Sequence, residues 1–495
     1  NRTADTGAME EALTLDTFTK VLSDDFTWDL AWNTATLAAG SALAATALAL
    51  PIALLIRGAQ PRWRGLLSLM AVAPLLVSGT ARVVGWMAIL GDRGLVNATL
   101  AGLGLADPPV RLINNLAGVR IGLTESLLPY ACLVLIAGLG RLDHRLEEAA
   151  ATLGATRARA PRRFPADLRA RGLRLRDTAP DGRRPRLRRR DRDLRPRAGD
   201  GGLARRRRPG DDAARRARGR DDPAGGAGAA GRRMRPGILL RVFAALGYTL
   251  LLAPAFVVLV ISFSAGDFLT FPPPGLSTRW YAALLSNAEL MAALRTSAIL
   301  ALAVAILSLL AGIPAAYAIA RLRFPGRDAL AALIAAPLLL PTLVLGLALL
   351  LALQPLRLAA TWPGLMLAHS VVALPFAVRI MTTAFAAVPR EVEEAAWTLG
   401  ATPLRAALRI TLPVAAPGAV AAGALCFLVS FDETVISLFL VGPRLSTLPV
   451  EMFRYAENRT DPLVAALAMA LIAVALIVVL AVERLVGFRR ALGRT

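Results

Sequence analysis

The sequence predicts an all-α fold, a polytopic bundle of transmembrane helices. Three observations support this fold class. Of the 495 residues, 56% are hydrophobic and only 19% are charged. Long apolar runs recur along most of the chain, and one polar ten-residue segment follows such a run twice. This composition is typical of a protein in a bilayer, and a soluble enzyme with it would be hard to keep in solution.

Nine apolar runs are long enough to span a membrane, since about 20 helical residues cross roughly 30 Å of hydrocarbon. Buried helices of a large soluble core are the alternative, but such helices are shorter and carry a polar stripe. The predicted spans are residues 33–56, 66–91, 116–140, 238–263, 293–320, 328–353, 362–387, 415–441 and 462–483.

Arginine marks the loops that we expect on the cytoplasmic side, because such loops collect positive charge. The short loops 57–64 and 321–327 are basic, and so is the C-terminal segment 484–494. With these segments inside, residues 1–32 are expected to form a periplasmic segment. The chain is therefore predicted to be a multi-pass membrane protein with these loops in the cytoplasm.

The polar repeat reads EEAAATLGAT at residues 147–156 and EEAAWTLGAT at residues 393–402. It resembles the cytoplasmic coupling loop of the permeases of binding-protein-dependent ABC importers, whose pattern is Glu-Ala-Ala, three residues, Gly, nine residues, Ile, one residue, Leu-Pro. The second copy matches in full and the first loses the pattern after its glycine. The matching residues are Glu148, Ala149, Ala150 and Gly154 in the first copy and Glu394, Ala395, Ala396, Gly400, Ile410, Leu412 and Pro413 in the second.

The resemblance implies that both copies dock on a cytoplasmic ATPase dimer and transmit its closure to the spans, with Glu394 as a polar contact to the ATPase. A periplasmic solute-binding protein would deliver the solute. Glu-Ala-Ala favours a helix, and Gly400 permits the tight turn that ends it. A second short helix, from about Pro403 to Leu412, is expected to lie in the plane of the interface.

A tract rich in Arg, Asp, Gly, Pro and Ala occupies residues 161–233 and cannot form a bilayer span. One interpretation is a disordered basic linker. Another is a translation of the wrong reading frame. The tract begins where the first coupling loop loses its pattern, and Met234 after it resembles the start of a second permease. Binding of nucleic acid is disfavoured, since the tract has almost no aromatic residues for stacking on bases.

These features predict two homologous permease domains in tandem. Residues 33–160 form the first, with three spans and a coupling loop, and we expect it to be incomplete at both ends. Residues 161–233 join it to the second domain, residues 234–495, which has six spans and a coupling loop at 389–413.

Several site classes find no support in the sequence. No GxxxxGK[ST] motif occurs, and Lys20 is the only lysine, so no phosphate-binding P-loop can be completed and the ATPase must be a separate chain. Cys132 and Cys426 both fall in predicted spans, and with His144 and His369 they suggest no disulfide or metal site. We therefore expect no enzymatic activity and no cofactor.

The segment FLVSFDETVISLFLVGP places Asp432 and Glu433 near membrane depth, where ionisable groups usually serve a pathway or an internal partner. Acidic groups suit a cationic solute, and this stretch is similar to the second permease of spermidine/putrescine-type importers. The residues RVVGWMAILGDRGLVNATL similarly look like the first permease of that system. The alternative role for Asp432 and Glu433 is to brace a broken helix without contacting solute.

Together with this resemblance, the sequence predicts an ABC importer permease for a polyamine, a multi-pass protein of a bacterial inner membrane. The alternatives are an importer of a ferric ion, thiamine or an oxyanion, and a membrane-anchored nucleic-acid-binding or scaffold protein that acts through the arginine tract.

Overall fold

The computed structural model describes residues 15–105, 109–141 and 237–492. Within these ranges the regular structure is helical apart from two isolated β-bridges, which confirms the all-α fold class. The helices are α1 (Asp16–Ser23), α2 (Asp25–Gly58), α3 (Pro61–Val72), α4 (Gly79–Leu90), α5 (Leu95–Gly102), α6 (Leu116–Gly140), α7 (Ile238–Ser262), α8 (Arg279–Ser286), α9 (Ala288–Arg321), α10 (Arg327–Ala335), α11 (Thr342–Leu353), α12 (Trp362–Ala386), α13 (Arg390–Thr398), α14 (Pro403–Phe431), α15 (Val435–Leu440), α16 (Leu448–Asn458) and α17 (Leu463–Leu492).

Seven of the described helices are long and apolar enough to cross a membrane, namely α2, α6, α7, α9, α12, α14 and α17. Two further predicted spans, 66–91 and 328–353, are not single helices. The segment with α3 and α4 bends by 94°, and the segment with α10 and α11 bends by 106°. The nine predicted spans are therefore present if each bent pair counts as one span.

Proline explains both bends. Each contains the sequence Ala-Pro-Leu-Leu, which forms a short 3₁₀ helix at Ala73–Leu76 and at Ala336–Leu339. Proline lacks the backbone N–H that an α-helix needs, and the chain leaves helical geometry directly after each 3₁₀ turn, at Val77 and at Leu340. The two breaks are a second match between the halves of the chain.

Paired helix lengths extend this match. Helices α2 and α9 both have 34 residues with an internal proline, at Pro51 and Pro314. Helices α6 and α12 both have 25 residues, again with an internal proline, at Pro129 and Pro375. These pairings agree with a tandem repeat in which α7 has no described counterpart in the first half. Helix α2 begins earlier than the span predicted from residue 33. Its first residue, Asp25, lies inside the segment that was expected to be periplasmic.

The last predicted spans also differ at their ends. The span expected at 415–441 stops at Phe431, and the chain becomes helical again only in α15. The helix at 462–483 is longer, because α17 runs from Leu463 to Leu492. The break after Phe431 contains both acidic residues singled out in the sequence, Asp432 and Glu433.

Small residues allow close helix packing in the second half. Helices α9, α12 and α14 pack against one another, with Gly312 of α9 against Ala377 and Gly418 of α14 against Ala384. Such contacts are typical of membrane helices, where packing cannot depend on excluding water.

Helix α7 packs mainly on the first half of the chain, against α2 and α4. A Cβ atom added to Gly85 of α4 would lie 2.5 Å from the carbonyl oxygen of Pro254 in α7. The glycine is therefore required for this close approach. Helix α17 also contacts α4 and α7, so the two halves share a core.

The chain divides into two compact units. One comprises Asn1–Ile136 with Gly237–Thr495, and the other comprises Ala137–Pro236. The second unit contributes only the last residues of α6 and Arg141 to the described structure. The predicted boundaries at 160 and 233, and both interpretations of the arginine tract, lie outside the described residues and stay predictions.

Candidate functional site

The coupling segment is our name for residues 389–413, the second copy of the segment that resembles a coupling loop. It forms a helix, a glycine turn and the start of a membrane helix. Helix α13 ends at Thr398, and Gly400 follows with φ of +87°, in the left-handed region that favours glycine. The Gly400 N–H donates to the Trp397 carbonyl and the Ala401 N–H donates to the Ala396 carbonyl. Gly400 therefore makes the turn that the sequence predicts.

The short second helix expected from Pro403 to Leu412 is not a separate element. Helix α14 begins at Pro403, where the Thr402 side chain caps it, and continues through a π-helical turn at Ala407–Thr411 to Phe431. The helix continues to Phe431 although it contains Pro413, Pro417, Gly418 and Gly423. The coupling segment is thus joined directly to a membrane span.

Glu393 anchors the segment to the bundle. Its side chain is only 4% exposed, and its carboxylate lies 3.2 Å from Nε of Arg321, at the end of α9. The hydroxyl of Thr411, in α14, donates to the same carboxylate, and that of Tyr317 donates at 3.4 Å. Arg321 also donates to the Val388 carbonyl at 2.7 Å. One buried carboxylate therefore connects α9, α13 and α14.

The residues that match the coupling-loop pattern lie mostly at the surface. Glu394, Ala395, Gly400 and Pro413 are exposed, Ile410 and Leu412 are half-buried, and Ala396 is buried. The corresponding residues of the first copy, Glu148, Ala149, Ala150 and Gly154, lie outside the described residues. The sequence therefore identified the exposed glutamate, whereas the neighbouring Glu393 carries the internal contacts.

Large apolar side chains are exposed on both sides of the Gly400 turn. We define the docking face as Trp397, Leu399, Leu404 and Leu408, of which Leu399 is 89% exposed. Contiguous exposed apolar side chains mark an interaction surface or a membrane contact.

The acidic break between α14 and α15 is held by helix N-termini. Asp432 accepts a hydrogen bond from the Gly79 N–H at 3.2 Å and one from the Ser78 hydroxyl, both at the start of α4. Glu433 accepts from the Ile436 N–H at 3.0 Å, at the start of α15. Because a helix N-terminus carries partial positive charge, both contacts stabilise carboxylates. The bracing role that the sequence left open is therefore present in this conformation.

A cavity of about 220 Å³ adjoins the break. Leu75, Val77 and Ser78 line it from the first half, and Asp432 and Glu433 line it from the second. The remaining wall is apolar, from α14 and α17. Its volume is below the roughly 300–1,000 Å³ of pockets for drug-sized ligands, so this conformation has room only for a small solute.

Arg82 and Glu125 form a second charged pair, between α4 and α6. The Arg82 guanidinium lies 3.4 Å from both carboxylate oxygens of Glu125, whose side chain is 1% exposed. This pair lies outside the cavity lining, in which Asp432 and Glu433 are the acidic side chains. The sequence offered a signal for the pair, since both residues fall within predicted spans, where charge is costly.

Among the described residues, no group of His, Cys, Asp and Glu could hold a metal ion. Cys132 and Cys426 are both free and buried. The structure thus contains a transmembrane bundle with an acidic cavity and a coupling segment.

Comparison with known proteins identifies the family. The family model described as "Binding-protein-dependent transport system inner membrane component" matches residues 308–489. The putrescine transport system permease protein PotI of Escherichia coli (strain K12) is 35% identical over 230 residues, which cover 45% of this chain and 82% of PotI. The chain belongs to this family of inner-membrane transport components. It is the permease component of an ABC importer, a multi-pass inner-membrane protein and not an enzyme.

A second relative, PotC, agrees with this assignment. The spermidine/putrescine transport system permease protein PotC of the same strain is 29% identical over 265 residues, which cover 54% of this chain and 98% of PotC. A solved bacterial ABC transporter involved in the import of the acidic polysaccharide alginate matches with a TM-score of 0.40 and 17% identity, over 51% of this chain and 95% of that chain.

Proposed function

We propose that this permease imports a polyamine, putrescine or spermidine. The observation that carries the proposal is the cavity lined by two acidic side chains, Asp432 and Glu433, and by otherwise largely apolar residues. A polyamine alternates ammonium groups with methylene segments. The ammonium groups would contact the carboxylates, and the methylenes would lie against the apolar wall. The relatives that transport putrescine or spermidine support the same solute class.

The charge of the cavity also disfavours one alternative. An oxyanion would need a positively charged side chain in the cavity. Arg82 is already paired with Glu125, and the described residues that line the cavity include no other basic side chain. Ferric ion would require a cluster of ligands, and none is present among the described residues. Thiamine remains the cationic alternative, and a competition assay separates it from the polyamines.

Coupling to ATP would occur through the docking face. A separate cytoplasmic ATPase dimer would bind Trp397, Leu399 and Leu404, with Glu394 as a polar contact beside them. The first copy, with Glu148 and its neighbours, would contact the other ATPase subunit. Closure of the ATPase would move α13, and α14 would carry that movement to the acidic break. The cavity would then open to the two sides in turn, supplied by a periplasmic solute-binding protein.

Uptake of radiolabelled putrescine tests the proposal. The full chain is expressed with its ATPase and solute-binding protein in cells that lack other polyamine importers. Asp432→Asn and Glu433→Gln are expected to lower uptake about tenfold or more, because each loses a charge-assisted contact. Asp328→Asn, an exposed carboxylate outside the cavity, is the matched control. Normal uptake by both cavity variants would contradict the proposal.

A further inference from the structure

His369 lies beside the acidic break, and the sequence suggested no role for it. It is on α12 and is 1% exposed. Its Nδ1 is 2.9 Å from the hydroxyl of Ser430, and its Nε2 is 2.9 Å from the hydroxyl of Ser437. Ser430 belongs to the last turn of α14 and Ser437 to α15. One imidazole ring therefore joins the two helices on either side of the break.

The hydrogen bonds define the direction of this connection. The Ser437 hydroxyl donates to the Glu433 carbonyl oxygen at 2.8 Å, so its single proton is already used. It must therefore accept a hydrogen bond from Nε2–H of His369. A neutral imidazole then has an unprotonated Nδ1, which accepts from the Ser430 hydroxyl. The hydrogen bonds therefore run from the Ser430 hydroxyl to His369, from His369 to the Ser437 hydroxyl, and from Ser437 to the backbone carbonyl of Glu433.

The backbone of the break is irregular, although the carboxylates of Asp432 and Glu433 accept hydrogen bonds from Gly79 and Ile436. Between Phe431 and Val435 the backbone leaves the helical path, and the Glu433 N–H reaches the Ser430 carbonyl at a long 3.4 Å. The positions of the two carboxylates depend on how the end of α14 lies relative to α15. His369 adds a side-chain connection between these two helices to their covalent link.

We propose that His369 is a positioning residue for the solute site. By holding Ser430 and Ser437 at a fixed separation, it places the carboxylates of Asp432 and Glu433 at the cavity. The proposal rests on the proposed function, because it assigns His369 to the site at which a polyamine would bind. His369 itself does not line the cavity, so its effect on the solute is exerted through the break.

Three variants test the role. His369→Leu removes both hydrogen bonds while filling a similar volume. His369→Gln keeps an amide N–H that can donate to Ser437. Ser370→Ala is the matched control, because the hydroxyl of this neighbour on α12 donates to the Met366 carbonyl of its own helix.

The measurement is equilibrium binding of radiolabelled putrescine to the purified full chain in complex with its ATPase. The solute-binding protein is omitted, so that the affinity is the permease's own. His369→Leu is expected to weaken binding about tenfold through the loss of two buried hydrogen bonds, and His369→Gln to restore most of the affinity. Ser370→Ala is expected to bind like the unaltered chain.

A double variant separates positioning from general packing. Ser437→Ala alone is expected to weaken binding, and adding it to His369→Leu should cause little further loss, because both remove the same connection. If His369→Leu does not fold, Ser437→Ala and His369→Gln still decide the point. Unchanged affinity in His369→Leu, or equal losses in the Gln and Leu variants, would overturn the proposal.

The same assay distinguishes this failure from that of the proposed function. If Asp432→Asn weakens binding and His369→Leu does not, only the positioning role fails. If Asp432→Asn and Glu433→Gln both bind putrescine normally, or the unaltered chain binds none, the solute site itself is wrongly assigned.

Discussion

Replacing Glu393 with alanine should detach the coupling segment from the membrane bundle. The Glu393 carboxylate contacts Arg321 of α9 and the hydroxyls of Tyr317 and Thr411. Its removal leaves the Arg321 guanidinium, whose side chain is 6% exposed, without the carboxylate that balances its charge. The segment then loses the contact that connects α13 to both neighbouring helices.

The expected magnitude follows from burial. Removing one member of a buried ion pair costs about 3–5 kcal/mol, because the remaining charge stays desolvated. Since each 1.4 kcal/mol is a factor of ten, the equilibrium for local opening of α13 rises roughly 100- to 4,000-fold. A change of this size should abolish coupled transport even where the membrane helices remain folded.

Hydrogen exchange measured by mass spectrometry over residues 390–398 reads this opening directly, because amide exchange follows the population of the open state. Glu394→Ala is the matched control: it is the next residue and is exposed. It should leave the exchange of α13 unchanged, while weakening activation of the ATPase. The double variant Glu393→Ala with Arg321→Ala should recover part of the protection, because neither charge is then left alone.

Two results would refute the reasoning. Unaltered exchange of α13 in Glu393→Ala would show that the buried ion pair does not hold the segment. An equal increase of exchange in Glu394→Ala would show that burial does not distinguish the two glutamates.

Two further variants test the backbone geometry of the bundle and of the coupling turn. Gly85→Ala would place a Cβ atom 2.5 Å from the Pro254 carbonyl oxygen and should destabilise the protein by about 1–3 kcal/mol. Thermal unfolding in detergent measures this effect, and Gly65→Ala, whose added Cβ meets no atom, is the control. Equal melting temperatures for the two variants would contradict the prediction. Gly400→Ala meets no neighbouring atom but must adopt φ of +87°, which costs about 1–2 kcal/mol. We expect Gly400→Ala to reduce solute-stimulated ATP hydrolysis while the melting temperature of the membrane helices stays unchanged. Normal stimulation of ATP hydrolysis by solute would show that the turn is not needed for coupling.

Much of the helical fold follows from the sequence because apolar length decides it. The span predicted at 116–140 agrees with α6, and those at 238–263 and 362–387 differ from α7 and α12 by one residue at the C-terminal end. The bends were missed because hydropathy does not register backbone geometry. The two Ala-Pro-Leu-Leu sequences were available as a signal, since proline inside an apolar run indicates a possible kink.

The candidate site was predictable only in part. Asp432 and Glu433 could be selected because charge near membrane depth is costly. Their contact with Ser78 and Gly79 could not, because it joins residues far apart in the chain. The sequence did not identify Glu393 for a similar reason. The sequence pattern shows that Glu394 matches the family, whereas only the packing of the helices shows that Glu393 is the buried one.

Transport in proteoliposomes tests the central claim most directly. The full chain is reconstituted with its ATPase, ATP is enclosed on the ATPase side, and loaded solute-binding protein is added on the other. The account predicts accumulation of putrescine that requires ATP and the binding protein and that is lost in Asp432→Asn. Accumulation of thiamine but not of putrescine, or putrescine accumulation unaffected by Asp432→Asn, would contradict it.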